Sequence, residues 1–149
     1  MSYQLGKRSK DRLLGIDPRM VAIVERAIEV SEQDFSVICG MRTVAEQEAL
    51  VAKGASQTMK SKHLEGLAVD LMAYIDGGRW ELNLYDEIAD AMRKSAIEQG
   101  VNIRWGAAWH KTLNEWESTS EDLMNEYVDL RRSQGRRPFI DGPHFEIVE

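Results

Sequence analysis

The chain is short of cysteine, of histidine and of long apolar runs, and each shortage excludes something. Cys39 is the only cysteine, so no internal disulfide can form. It is expected as a small buried hydrophobe in a protein made in a reducing compartment. No run of about 18 apolar residues occurs, which excludes a transmembrane helix and with it membrane insertion. A secretory leader needs an apolar stretch behind its basic residues, and DRLLGIDPRM is too broken to be one. Lys7, Arg8, Lys10 and Arg12 are instead expected as a solvated N-terminal arm. Positive charge is also short: 19 Lys and Arg face 25 Asp and Glu, for a net charge of -6. A nucleic-acid partner wants a basic surface to replace phosphate counterions, so that class is disfavoured. There is no internal repeat and no low-complexity tract.

What remains is a globular composition. Of 149 residues, 43% are hydrophobic, enough for one domain, 1–149, with a real core. Asp17 is a candidate N-cap with Pro18 at the first helical position, and Met20, Ile23, Val24, Ala27 and Ile28 follow on one helical face. FSVICG reads as a short strand closed by Gly40. Thr43 and Glu46 have capping-box spacing and open a helix that Gly54 stops. Arg42 then falls in the tight link between that strand and that helix, where a side chain is readily held over a site. In LAVDLMAY, Leu67, Val69, Leu71 and Ala73 share one strand face, and Ala68, Asp70 and Met72 share the other. IDGGRW is a turn. Tyr85, Ile88, Ala89, Met92 and Ala96 mark a helix ended by Gly100. VNIRWG is a strand. STSEDLMNEYVDLRRSQG is a helix with Ser118 and Glu121 as its expected cap. PHFEIV is a last strand with His144 and Glu146 on one face. The sum is an α+β fold, with helices packed on a small antiparallel sheet.

Two of the three histidines stand in unusual company. His63 precedes Asp70 by seven residues in SKHLEGLAVD. Extended, that separation spans roughly 23 Å; on a helix it spans about 10 Å. The two side chains can meet only if the chain doubles back, and Gly66 supplies the permissive backbone. Alone, the pair also reads as a surface histidine and a satisfied polar residue at a strand end. DGPHFEI changes the weighing, because it adds His144 and, three residues earlier, Asp141. His63, Asp70 and His144 make a sound zinc shell, since catalytic zinc takes three protein ligands and leaves a fourth position open. Asp141, beside the metal but not on it, is placed to act as a general base.

SKHLEGLAVD followed by DGPH resembles the zinc peptidases of peptidoglycan that include the D-Ala-D-Ala carboxypeptidases and dipeptidases. FSVICGMRTVAEQ and RWGAAW are similar to their phage and prophage endolysin branch, the L-alanyl-D-glutamate endopeptidases. The resemblance runs from about Gly15 to Glu149. It implies a hedgehog/D,D-peptidase-like fold with zinc at the sheet edge, held by His63, Asp70 and His144. It implies Asp141 as base and then acid, and Arg42 as the arginine that meets a substrate carboxylate or oxyanion. Ser61 and Gln47 match positions that line the substrate cleft. His110, the third histidine, is a candidate substrate contact or core residue. The segment 111–137 exceeds the minimal pattern and is expected as a helical insertion. The four tryptophans read as core or cleft-rim residues.

The resemblance thus implies a zinc metallopeptidase that cuts the L-Ala–D-Glu amide of the peptidoglycan stem peptide. It implies a monomer made in the host cytoplasm without a signal peptide and released by a holin to act in the periplasm or wall. A D-Ala-D-Ala carboxypeptidase and a non-catalytic zinc or wall-binding module are the alternatives.

Overall fold

A computed structural model describes residues 3–56 and 58–149. Helix α2 (Pro18–Val30) forms where the apolar spacing expects it. Asp17 Oδ1 accepts from the Arg19 N–H at 2.9 Å, which satisfies one of the unpaired donors of its first turn. Its buried stripe, Met20 to Ile28, packs against α4 (Leu82–Gln99), which buries Tyr85, Ile88, Ala89, Met92 and Ala96. Ser95 Oγ ties the two helices by donating to Ile23 O at 2.8 Å.

The sheet is antiparallel throughout, in the order β1 (Phe35–Cys39), β2 (Ala68–Tyr74), β5 (His144–Ile147), β4 (Ile103–Trp105). The short β3 (Gly78–Arg79) turns back onto β2, so IDGGRW is the bend of a hairpin. Val37, Val69, Leu71, Ala73, Ile103, Trp105, Phe145 and Ile147 enter the core, as the alternation requires. Each large side chain so buried contributes roughly 1.5–3 kcal/mol. The opposite face of β2 and β5 is left to Asp70, His144 and Glu146. Among the described residues, no helix is long and apolar enough to cross a membrane.

The basic N-terminus is not a solvated arm. Residues Lys7–Arg12 form a helix, α1, packed along edge strand β1. Buried Ser9 accepts from the Val37 N–H through Oγ at 2.9 Å, and Arg12 donates to Val37 O at 3.0 Å. An edge strand exposes unpaired backbone groups, and α1 satisfies two of them. Of the basic residues only Arg12 takes part, while Lys7, Arg8 and Lys10 stay exposed, so the charge pattern did not reveal the docking.

Helix α3 (Val44–Ala52) carries the expected capping box between Thr43 and Glu46. Within 111–137, a single 3-10 turn (Leu113–Glu115) precedes α5 (Ser120–Ser133). Its cap is Thr119, whose side chain accepts from the Asp122 N–H, rather than Ser118. Asp90 on α4 accepts from both the backbone and the hydroxyl of Ser120, which docks the start of α5.

Candidate active site

The chain does double back between His63 and Asp70. His63 lies in a 3-10 turn, Lys62–Glu65, whose start is capped by Ser61 Oγ. Gly66 ends that turn with φ +73, and a Cβ there would lie 3.0 Å from Gly15 O. Strand β2 then carries Asp70 back under the histidine. Asp70 is the direct cross-strand partner of His144 on β5. A bulge in β1 past Val37 also sets Cys39 opposite Asp70. The expected place at the edge of the sheet is refined accordingly: Asp70 and His144 lie on its two central strands, at the end where β5 begins, and His63 on the 3-10 turn that leads into β2.

The hydrogen bonds fix which imidazole nitrogens are available. His63 Nδ1 meets Gly40 O at 2.9 Å, and a carbonyl can only accept, so Nδ1 carries the proton. His63 Nε2 then points a lone pair at Asp70 Oδ1, 3.1 Å away. On the other side, His144 Nε2 donates to Glu146 Oε1 at 2.8 Å, which leaves Nδ1 facing the same Asp70 oxygen at 3.3 Å. Two lone pairs aimed at one carboxylate oxygen repel unless a cation joins them. Protons are one answer. Burial opposes charge on His63, but Asp70 and the Cys39 thiol outweigh it and lift its pKa to about 10. Burial likewise opposes charge on His144, and Asp70 and Glu146 raise its pKa against it. Asp70, in turn, is held well below the usual carboxylate range despite its burial, by the hydrogen bonds from His144 and His63. A divalent metal is the other answer, and the tied outer nitrogens are the support that metal-binding histidines need.

Asp141 stands beside this shell. A carboxylate oxygen of Asp141, one of Asp70 and a ring nitrogen of His144 all lie within 4.8 Å of one another. Burial, and then the charge of Asp70, raise its pKa. Its carboxylate accepts no hydrogen bond among the described residues, so it is free to take a proton. The four residues open onto a cleft of about 680 Å³, also lined by Arg42, Ser61, Trp109 and Tyr127. A partly buried carboxylate next to a cation shell, in a cleft, is the arrangement of a hydrolytic centre.

The model of the phage L-alanyl-D-glutamate peptidase family matches residues 1–148. The chain belongs to that family. The L-alanyl-D-glutamate peptidase of Escherichia phage T5 is 32% identical over 153 residues, 99% of this chain and 100% of that protein. The crystal structure of the Serratia marcescens L-Ala D-Glu endopeptidase ChiX is similar with a TM-score of 0.73 and 32% identity. That likeness covers 99% of this chain and 91% of ChiX. The resemblance read from SKHLEGLAVD, DGPH and GMRT is borne out, to the level of the branch.

Several side chains of this family member stand elsewhere than expected. Gln47 does not line the cleft. It is fully buried, accepts from Arg42 through Oε1 at 2.6 Å, and donates to Ser56 Oγ at 2.8 Å and Thr58 O at 2.5 Å. It holds Arg42 and the loop after α3 together. His110 lies outside the cleft wall and pairs with Glu126 on α5 at 2.9 Å. Arg42 does line the cleft, but its guanidinium already serves Gln47 and, at 3.4 Å, Asp70 Oδ2. Cys39 is half-buried and polar in its contacts: its sulfur lies 3.8 Å from His63 Nδ1 and accepts from Arg42 at 3.5 Å. Burial works against its ionisation, yet His63 and Arg42 outweigh this and lower its pKa. Cys39, His63 and Asp70 also form a group that can hold a metal. The thiol, however, sits beside the Nδ1 that Gly40 already occupies, while Asp70 and His144 sit at Nε2.

Two supporting features escaped the sequence reading. Glu146 orients His144, and the strand alternation noted for His144 and Glu146 was its signal. The second is a clamp on the DGPH turn built from RWG. Gly106 N donates to His144 O, and Asp141 N donates to Gly106 O, both at 2.8 Å. Trp105 Nε1 donates to Gly142 O at 2.7 Å. No local pattern could have paired residues so far apart in the chain.

Proposed function

We propose that this chain is a zinc-dependent peptidoglycan endopeptidase that hydrolyses the L-Ala–D-Glu amide of the stem peptide. One observation carries the reading: two imidazole lone pairs converge on Asp70 beside Asp141, in a member of the L-alanyl-D-glutamate peptidase family. Two nitrogens and a carboxylate oxygen suit zinc, so His63, Asp70 and His144 would hold it. When bound, zinc supplies a Lewis acid and lowers the pKa of water to about 7.

The remaining work falls to the chain. Asp141 takes the proton of the attacking water and returns it to the departing nitrogen of D-Glu. Its raised pKa suits that cycle, because burial and the charge of Asp70 make it hold a proton more firmly than an ordinary aspartate. Arg42, pre-oriented by Gln47, steadies Asp70 and lends its charge to the developing oxyanion. Ser61, at the cleft wall, meets the substrate backbone. The whole chain acts as one monomeric domain, and residues 111–137 build one wall of its cleft. It is made in the host cytoplasm and reaches the wall when a holin opens the way.

Digestion of purified peptidoglycan with end-group analysis tests the bond. New N-terminal D-Glu is the expected result, and release of D-Ala would mark a carboxypeptidase and overturn the reading. Metal analysis tests the zinc. The Asp141→Ala variant keeps zinc and loses lysis, and His63→Ala loses both. Full lysis by either defeats the assignment, and the presence of the base Asp141 already speaks against a non-catalytic module.

A further inference from the structure

The cleft is rimmed by cations that the chemistry above does not use. Lys60, Lys62, Arg131, Arg136 and Arg137 line the same cavity as His63 and Asp141. The chain carries a net charge of -6, so this is a local reversal of sign. Among the described residues, none of the five forms an ion pair. The carboxylates of the cleft are otherwise committed: Asp70 to the imidazoles and Arg42, Glu146 to His144, Asp141 to the proton transfer. A cleft so lined concentrates positive potential where an anion is to be received.

The arginines are presented by a built turn rather than a loose loop. Helix α5 ends in a Schellman motif: Gly135, at φ +68, donates to Arg132 O at 3.0 Å, and Arg136 N donates to Arg131 O at 2.9 Å. That second bond folds Arg136 back beside Arg131. The guanidinium of Arg131 lies over the Tyr127 ring, 5.2 Å from its centroid. Past Pro138, Phe139 is fastened on both backbone groups: its N–H donates to Tyr127 Oη at 3.2 Å, and its carbonyl accepts from Trp109 Nε1 at 3.1 Å. The turn is therefore fixed at both ends, which lowers the entropy cost of gripping a ligand.

We infer that Arg131, Arg136 and Arg137 form a subsite for a substrate carboxylate on the leaving side of the scissile amide. This rests on the L-Ala–D-Glu reading of the cleft. Glutamate brings two carboxyl groups, and the chain can continue through only one of them. A free carboxylate therefore stands a few bonds from the scissile nitrogen, whereas alanine on the other side brings no charge. Arg137 precedes Asp141 by four residues, at most roughly 14 Å of chain, so the anion grip and the group that protonates the leaving nitrogen share one segment. Arg42 is the less available partner, since Gln47, Cys39 and Asp70 already occupy its guanidinium.

The test uses the zinc-loaded full chain and two soluble stem peptides, one with the free glutamate carboxylate and one with that group as carboxamide. Wild type favours the acid by roughly tenfold or more in kcat/KM, the range of a charge-assisted hydrogen bond, and the difference lies mainly in KM. The double variant Arg136→Gln/Arg137→Gln brings the acid down to the amide, and Arg136→Lys/Arg137→Lys restores part of the preference. Equal loss on both peptides would mean that the arginines only shape the wall, and overturns the subsite. Unchanged cleavage of both peptides, with weaker retention on whole anionic wall, would assign them to wall polymer and overturns it too. If wild type cuts neither peptide at this bond, the bond assignment itself fails, and the subsite falls with it.

Discussion

Gly106→Ala probes the clamp that holds the catalytic turn. A Cβ at this position would lie 2.2 Å from Asp141 O and 2.9 Å from His144 Cβ. Neither contact can be relieved by rotating a side chain, because one partner is backbone and the other is a Cβ. The turn must withdraw by about 1 Å, and it carries both the proposed base and a proposed ligand. Overpacking of this kind costs about 1–3 kcal/mol of stability. A 1 Å misplacement of catalytic groups costs on the order of 10²-fold in rate. The expected variant is therefore folded, lowered in Tm, and about a hundredfold slower on purified peptidoglycan. Gly6→Ala serves as the control, since nothing lies within 4 Å of its Cβ and its φ of -78° suits any residue. Circular dichroism, a thermal melt and kcat/KM measured on both variants decide the matter. A Gly106→Ala protein with wild-type kcat/KM would refute the clamp and the importance of where it holds Asp141.

Glu146→Gln weakens zinc binding by roughly 10–100-fold, the usual cost of losing a carboxylate behind a histidine ligand, as a competition titration with a chelator would read. Zinc binding to the metal-free protein releases protons at pH 7, because His63 and His144 both have raised pKa values. Calorimetry in buffers of different ionisation heat checks this, and heats independent of buffer would contradict it. The same shifts make the metal-free fold most stable below about pH 6.5 and progressively less stable as pH rises toward 10. Asp86 on α4 is buried, and burial, then Glu121, lift its pKa to about 7. Its folded state holds the proton more tightly than the unfolded state, so it costs stability as pH climbs from about 4 to 7. Asp86→Asn should flatten that decline in Tm, and an unchanged pH slope would argue against the shift.

The sequence was most legible where the signal is local. The capping box at Thr43 and Glu46, the stripe of α2 and the stop at Gly100 each depend on neighbours within a turn or two, and each stands as read. The ligand candidates were legible for another reason: reach forced a reversal at Gly66, and only one further histidine had an acid beside it on a turn. What stayed hidden depends on contacts between distant segments. Ser9 and Arg12 look like part of a basic arm until strand β1 offers them unpaired backbone groups. Gln47 looks like a surface glutamine on α3 until Arg42 and the loop at Ser56 close over it. Cys39 looks apolar until the bulge in β1 turns it toward His63.

The two kinds of element divide the work of the site. The metal shell sits on paired strands and a capped 3-10 turn, where backbone bonds fix Asp70 against His144 and the pleat puts Glu146 beneath the imidazole. Ala68 faces Glu146 across that ladder, and its small side chain leaves room for the carboxylate. Asp141 and the arginines sit instead on turns, each pinned by a few named bonds. Rigid strands suit ligands that a metal tolerates only within narrow geometry, and pinned turns suit groups that must meet a substrate. Changes in the ladder should therefore remove metal and activity together. Changes in the turns should leave the metal in place and alter rate or preference, so metal content and kinetics together tell the two apart.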